Sequence, residues 1–304
     1  MPTSSFPFLI GGVRDVSSEE GCVSGKGNCM DQEREEKLTK LRTLLQAMDS
    51  AVVAFSGGVD STFLLHMAMT ELGTGKVLAV TGQSPTYPAW EFEEARQLAR
   101  QLGVRQLIVA TEELASEEFA ANPPKRCYFC KQELFSHLRR IAGEEGLKHI
   151  LDGTNLDDLG DYRPGRQAAQ EMGVRSPLLE AGLTKEDIRI CSRARGLATW
   201  DKPACACLAS RFPYGAEITR EKLRQVEEGE DYLRSLGFRQ FRLRHHGPVV
   251  RIEIDREQMA LLLVRAEEVS RALRQQGFNY VTMDLDGYRT GSMNEMLPKE
   301  GRKS

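Results

Sequence analysis

Ala51-Val52-Val53-Ala54-Phe55-Ser56-Gly57-Gly58-Val59-Asp60-Ser61-Thr62-Phe63-Leu64 joins an apolar run, a Ser/Gly turn and a second apolar pattern in one stretch. The run Ala51–Phe55 is short, continuous and valine-rich, as a strand buried on both faces of a parallel sheet requires. A helix is predicted from Thr62 to Leu72, so Ser56, Gly57, Gly58, Val59, Asp60 and Ser61 wrap a helix N-terminus. Backbone N–H groups gathered there form a nest for an anion. Gly57 and Gly58 permit tight backbone without a Cβ clash, and the Ser56 and Ser61 hydroxyls add donors for phosphate oxygens. The stretch lacks GxxxxGK[ST], so the loop supplies no lysine to a terminal phosphate. Asp60 has two readings: a carboxylate for Mg²⁺ bridging phosphates, or a cap on the helix backbone.

Working outward, an amphipathic helix is predicted from Glu33 to Met48, strands at Lys76–Val80, Gln106–Val109 and His149–Leu151, and helices at Trp90–Leu102 and Lys131–Ala142. Such alternation implies βαβ units and an α/β fold with a parallel sheet covered on both faces. Ligands in such sheets sit at the carboxyl ends of the strands. Those ends carry Thr81-Gly82-Gln83-Ser84 and Asp152-Gly153-Thr154-Asn155. Thr81 to Ser84 are placed to contact adenine or ribose, with a solvated loop equally compatible, and Gly153, Thr154 and Asn155 are read as cofactor-binding. In the polar run that follows, Asp157, Asp158 and Asp161 can hold a metal with phosphate oxygens, and Arg163 and Arg166 can clamp an anion. An acidic helix cap in a surface loop is the alternative. Thr184 with Asp187 reads as a capping box opening a helix to about Arg195. Beyond Pro203 the pattern changes to a smaller α+β arrangement: a helix at 217–236, strands at Phe241–Leu243 and Val249–Ile254, a helix at Glu257–Gln275 and a strand at Tyr280–Asp284. The expected organisation is a flexible extension over 1–33, an α/β domain over 34–208 and a smaller domain over 209–304.

With 304 residues, 40% hydrophobic and 28% charged, the chain has the make-up of a soluble globular protein. A formal charge of -3 argues against an electrostatic nucleic-acid binder. No apolar run approaches the roughly 18 residues of a membrane helix, and no signal peptide is read at the N-terminus, so a cytoplasmic location is expected.

Seven cysteines in such a chain do not suggest a disulfide framework. Cys22 and Cys29 fall in the leader, and Cys191 in a helical pattern. Cys127 and Cys130 form a CxxC, and Cys205 and Cys207 a CxC. The CxxC is expected just ahead of a helix and between Arg126 and Lys131, both features that lower thiol pKa. The four thiols suit an iron–sulfur site of three or four ligands, sulfur carriage on a bare cysteine, or zinc. Arg242 and Arg244 share one strand face by the period of two and suit a phosphate or carboxylate, with a solvated strand face as the alternative.

The turn Ser56–Ser61 resembles the PP-loop of ATP pyrophosphatases. With SGGVDS at 56–61, GTNLDDLGDYRPG at 153–165, SPLLEAGLTKEDIR at 176–189 and KPACACLASRFPYG at 202–215 in that order, the chain is similar to the LarE family over about 35–295. The resemblance implies a twisted parallel sheet of adenine nucleotide alpha hydrolase-like type. It also implies ATP- and Mg²⁺-dependent adenylation of a carboxylate of pyridinium-3,5-biscarboxylic acid mononucleotide, with release of pyrophosphate. Sulfur then enters to give a thiocarboxylate, in maturation of the nickel-pincer nucleotide of lactate racemase. By the same resemblance, a 4Fe–4S cluster is held by three of Cys127, Cys130, Cys205 and Cys207, or else Cys205 or Cys207 is sacrificed as the sulfur donor. Ser210 and Arg211 stand where substrate and sulfur meet, Arg242 and Arg244 hold the substrate phosphate, and the chain forms a homo-oligomer. Other PP-loop enzymes, an NAD synthetase-like amidase or a tRNA thiolase, are alternatives. A non-catalytic nucleotide-binding zinc module is another, and would form neither AMP nor pyrophosphate.

Overall fold

The computed structural model describes residues 25–160, 164–203, 206–289 and 291–296. The valine-rich run becomes β1 (Ala51–Ala54), an inner strand of a parallel sheet of order β3-β2-β1-β4. Its neighbours are β2 (Val77–Gln83), β3 (Arg105–Ala110) and β4 (His149–Leu151). Ala51, Val53, Val77 and Ala79 enter one apolar layer, while Val52, Leu78 and Val80 enter the other. That alternation is what a sheet covered on both faces demands of continuous apolar strands.

The first layer is closed by α1 (Gly25–Gln46), α2 (Val59–Leu72) and α3 (Ala89–Leu102), which contribute Leu41, Phe63 and Ala95. After the one-turn α4 (Glu117–Ala120), α5 (Arg126–Glu144) and α6 (Pro164–Glu171) close the second layer through Phe135, Leu138 and Ala169. The one-turn α7 (Pro177–Glu180) and α8 (Lys185–Ala194) return to the first layer through Leu178 and Ile188. The chain runs outward from β1 to β2 and β3, then crosses back to place β4 on the other side of β1. The order reverses at β1, and the crevice at that reversal holds the start of α2.

The second sheet pairs β5 (Phe241–His246) antiparallel with β6 (Val249–Ile254), and β6 parallel with β7 (Tyr280–Met283). Helices α9 (Arg220–Ser235), α10 (Met259–Val264) and α11 (Ala266–Gln275) accompany it. Its apolar cluster gathers Leu223, Val226, Leu243, Ile252 and Leu273 with Leu208, Ala209 and Phe212, and it also takes Phe119 of α4. The segment following the CxC therefore packs with the second sheet. A bond from Leu208 N to Thr86 O, 2.8 Å, ties the same segment to the loop after β2.

Three sequence expectations need correction. Helix α1 starts at Gly25, not Glu33, where Asp31–Arg34 and Glu33–Lys37 pairs at 2.7 and 2.8 Å support the early turns. Helix α5 starts at Arg126, so the CxxC lies within its first two turns; Arg126 is held by Asn122 Oδ1 at 2.6 Å. The helix expected over 257–275 is broken at Arg265, whose ψ of 13° ends α10 before α11 begins. Among the described residues no helix is long and apolar enough to cross a membrane.

Candidate functional site at the reversal of strand order

Gly57 has φ +65°, and a Cβ there would lie 2.9 Å from the Ala95 Cβ. Only glycine fits a turn pressed this closely against α3. A Cβ on Gly58 would meet only Ser56 Oγ, at 3.4 Å, so that position is open. Val59 anchors the turn in the core. The first helical bond runs from Thr62 N to Gly58 O, 3.0 Å, and leaves the preceding amides without an intrahelical acceptor. Ser61 Oγ accepts from Ser56 N at 3.3 Å and lies 3.1 Å from Ser56 Oγ, and the Tyr87 hydroxyl donates to Ser56 O at 2.6 Å. From the other side, the loop after β4 comes so close that a Cβ on Gly153 would lie 3.0 Å from Ser61 N.

Asp60 does not cap α2. The N-cap is Gly58, with no side-chain cap bond. One Asp60 oxygen, Oδ2, pairs with Lys185 Nζ, while Oδ1 is buried with no partner among the described residues. A half-used carboxylate beside an open anion nest fits a hard divalent cation shared with phosphate oxygens. Lys185 opens α8, whose capping box is complete: Asp187 N donates to Thr184 Oγ1 at 3.1 Å, and Thr184 N to Asp187 Oδ2 at 3.2 Å.

The acidic loop takes its bland reading. Asp157 Oδ2 accepts from Lys185 N at 2.7 Å, and Asp158 Oδ2 from Asn155 N at 3.0 Å. Buried Asn155 accepts from Asp157 N at 3.0 Å, and Thr154 Oγ1 donates to Asp152 at 2.8 Å. These bonds build the loop and cap the turn Leu156–Gly160. Asp161 and Arg163 lie outside the described residues. Thr81 is likewise corrected. It is buried, donates to Phe55 O at 2.7 Å and accepts from Gln106 Nε2 at 2.9 Å, so it braces β1 against β2 and does not face a ligand.

Arg211 is 0% exposed. It makes paired bonds to Glu230, 2.9 and 2.8 Å, and donates to Ala206 O at 2.6 Å and Ser210 Oγ at 3.0 Å. The catalytic contact read for Arg211 gives way to a positioning role, fixing the backbone beside Cys207 to α9. Burial pushes the Glu230 carboxyl up, but Arg211 more than reverses this and leaves it below the usual range. Arg244 is also enclosed. It donates to Glu253 at 2.6 Å, Ser292 Oγ at 2.9 Å and Ser210 O at 3.0 Å. Its neighbour on the same face, Arg242, lines a cleft of about 450 Å³ together with Gly57, Trp90, Lys202, Arg234 and Arg239. Trp90 there has the Arg234 guanidinium 4.2 Å and the Lys202 ammonium 5.7 Å from its ring centre.

The CxxC departs from its expected chemistry. Cys127 is exposed, while Cys130 and Cys207 are half-buried and pack on the second apolar cluster. Burial, then the charge of Glu113, then Cys207 push the Cys130 thiol far above the usual range, not below it. Cys130 thus sits within electrostatic reach of Cys127, Cys207 and Glu113. Cys205 lies outside the described residues. Among those described, no three His, Cys, Asp or Glu side chains assemble as a metal-binding group. The described thiols therefore do not complete a cluster site.

Sequence reasoning missed Lys185, Lys202, Tyr87 and Glu230. Lys202 Nζ lies 3.3 Å from Gly57 O and 2.9 Å from Glu94, which brings the stretch before the CxC onto the nest. Only Lys185 carried a local signal, a cation in the first turn of a helix, where the dipole disfavours it.

Residues 34–141 match the protein family described as NAD synthase. The chain is 45% identical over 267 residues to an uncharacterized protein of Synechocystis sp., covering 87% of this chain and 99% of that protein. It is 40% identical over 264 residues to the pyridinium-3,5-bisthiocarboxylic acid mononucleotide synthase of Lactiplantibacillus plantarum, covering 86% and 96%. An uncharacterized protein of Methanocaldococcus jannaschii is 29% identical over 258 residues, covering 84% and 98%.

Proposed function

The chain belongs to the family of the pyridinium-3,5-bisthiocarboxylic acid mononucleotide synthase, the LarE family, and on that premise we propose that it is an ATP-dependent sulfur transferase acting on a carboxylate of a pyridinium biscarboxylate mononucleotide. The carrying observation is the open amide nest of α2 beside an Asp60 carboxylate with one oxygen bonded and one bare.

A carboxylate is a poor electrophile, so its oxygen must first attack a phosphorus. In this reading the nest holds the β- and γ-phosphates. The substrate carboxylate attacks the α-phosphorus, the α–β bridging P–O bond breaks, and its electron pair leaves on pyrophosphate. Pre-aimed amides receive that charge without reorganising. Asp60 would hold Mg²⁺, whose charge aids departure of pyrophosphate. A reduced sulfur nucleophile then attacks the acyl carbon, and AMP leaves with the C–O bonding pair. The cationic cleft at Arg242, Arg239 and Lys202 suits an anionic mononucleotide, and its wall at Gly57 joins it to the nest. With Arg244 enclosed, Arg242 is the stronger candidate for the substrate phosphate.

Cys127, Cys130 and the Cys205–Cys207 segment are the proposed sulfur-bearing group. The packing of both Cys130 and Cys207 against the second apolar cluster supports it. A 4Fe–4S cluster belongs to this reading as a family expectation, and no step is routed through it. A division near 208/209 and a homo-oligomer belong to this reading; the two sheets have separate apolar clusters, and Leu208 and Phe119 join the second.

The test is product analysis with ATP, Mg²⁺ and the dicarboxylate nucleotide. AMP and pyrophosphate are expected, and ADP with orthophosphate sinks the reading. Iron, zinc and acid-labile sulfide assays on anaerobically purified protein separate cluster, zinc and bare thiol.

A further inference from the structure

Resting on the sulfur-transfer reading above, we propose that Asn122 is a positioning residue for the sulfur-delivery half of the reaction. It fastens the start of α5, which carries Cys127 and Cys130, to the segment that follows Cys207. Asn122 has φ +54° and is the only non-glycine residue with positive φ among the described residues. It also precedes Pro123, whose ring pushes the residue before it toward extended backbone. Asparagine tolerates the left-handed region better than most residues, and such a conformation persists only where the surroundings over-determine it.

Those surroundings come from both sides of the proposed sulfur site. Asn122 is 0% exposed. Its Oδ1 accepts from Arg126 Nη1 at 2.6 Å, at the first residue of α5. Its Nδ2 donates to Pro213 O at 2.7 Å and reaches Phe212 O at 3.4 Å. The backbone continues the same seam, with Gly215 N donating to Asn122 O and Ile218 N to Ala120 O, both at 2.9 Å. The Arg126 guanidinium completes it, 4.8 Å from the centre of the Tyr214 ring.

What this tie adds follows from what is fixed without it. Arg211 grips Ala206 O and is bridged to Glu230, and Leu208 N is bound to Thr86 O, so the Cys207 segment has its own anchors. The later turns of α5 are seated in the first sheet through Phe135, Leu138 and Ile141. The first turns hold the CxxC and have no side-chain cap. Asn122 sets those turns in register with the Cys207 segment. It lines neither the nest nor the cleft at Arg242, so adenylation does not depend on it. Sulfur delivery does, because a misplacement of about 1 Å can cost about 10²-fold in rate.

The experiment compares the wild type with Asn122→Gly, Asn122→Asp and the exposed neighbour control Glu117→Gln. Glycine keeps the positive φ and removes every side-chain bond. Aspartate keeps the acceptor for Arg126 and loses only the donor to the Phe212 and Pro213 carbonyls. Each anaerobic protein is mixed with ATP, MgCl₂, the dicarboxylate nucleotide and sulfide. Pyrophosphate and thiocarboxylate are then followed over a single turnover. Alkylation of Cys130 and Cys207 by iodoacetamide, read peptide by peptide in a mass spectrometer, reports the register without any turnover. In both Asn122 variants thiocarboxylate formation should fall about 10- to 100-fold, with the pyrophosphate burst kept within about twofold. Both thiols should alkylate several times faster, and Glu117→Gln should match the wild type. Thiocarboxylate formation within about twofold of wild type in both variants overturns the proposal. Unchanged alkylation overturns it too, as does an equal fall of pyrophosphate and thiocarboxylate, which marks general loss of structure. A wild type that releases pyrophosphate and forms no thiocarboxylate removes the sulfur-transfer reading itself, and this proposal with it.

Discussion

The turn after β1 and the groups around β5 both hold charged side chains, and they treat them in opposite ways. At β1 the groups are half used. Asp60 has one bonded oxygen and one bare, and the amides ahead of Thr62 have no helical acceptor. At β5 the groups answer one another. Arg211 and Glu230 form a paired, fully buried bridge, and Glu253, 0% exposed, takes Arg244, Arg251 and Ser292 together. Identical residue types therefore carry opposite meanings. A carboxylate with one oxygen unpartnered beside free helix amides is open to a ligand. The buried carboxylates of Glu230 and Glu253, bonded at both oxygens, are framework, with Arg244 Nε and Arg251 Nε left unpartnered beside them among the described residues.

The comparison breaks most visibly at Glu230. Glu230→Gln removes the counter-charge of Arg211 and should cost about 3–5 kcal/mol of stability, read as a lowered midpoint in urea unfolding. A cost below about 1 kcal/mol would mean the bridge is not framework. At the other pole, Asp60→Asn should leave the unfolding midpoint nearly unchanged, since its pair with Lys185 is only part-buried. Its adenylation rate, followed by pyrophosphate release, should fall about 10²–10³-fold. An unfolding defect without a rate defect would reverse the assignment.

The smallest effect sharpens the contrast through pH. Burial holds His245 and His246 below the usual histidine range, with Lys222 and Arg251 adding to it, so the folded chain keeps them neutral while the unfolded chain protonates them first. Their contribution is complete above about pH 6.5 and is lost as pH falls from there. Glu230, held below the usual carboxylate range, adds a second loss only below about pH 4.3. Melting temperatures from pH 8 to 4 should decline in that order. Replacing both histidines by glutamine should flatten the upper part of the curve, and an unaltered curve would remove them as its cause.

What could be read from the sequence follows the same division. The nest was legible because strand, turn and helix are contiguous from Ala51 to Leu72, and the capping box because Thr184 and Asp187 are a turn apart. The parallel sheet was legible because β1 and β2 are apolar on both faces and strands alternate with helices. Thr81 misled because a polar residue at a strand end reads as ligand-facing, while its actual partners, Phe55 O and Gln106, come from neighbouring strands. Arg211 misled because Glu230 lies on another element, and Lys185 was missed because Asp60 stands 125 positions away. The start of α5 was placed late because Asn122, which holds Arg126, precedes the helix. Local patterns show where backbone goes, but a charge acquires its meaning from whichever distant group meets it.

The distance between Asp60 and Lys185 also sets a schedule. A ribosome adding about 5–20 residues per second needs about 6–25 s to make the 125 positions separating them. During that interval β1, β2 and β3 can pair in the order in which they emerge, each beside the last. β4 and α8 arrive later and must travel back across β1 to the far side of the sheet. A nascent or truncated chain ending before β4 therefore carries the glycine turn without Lys185 opposite it or the Gly153 loop that lies against Ser61. The Asp60–Lys185 pair can form only once translation has passed the capping box.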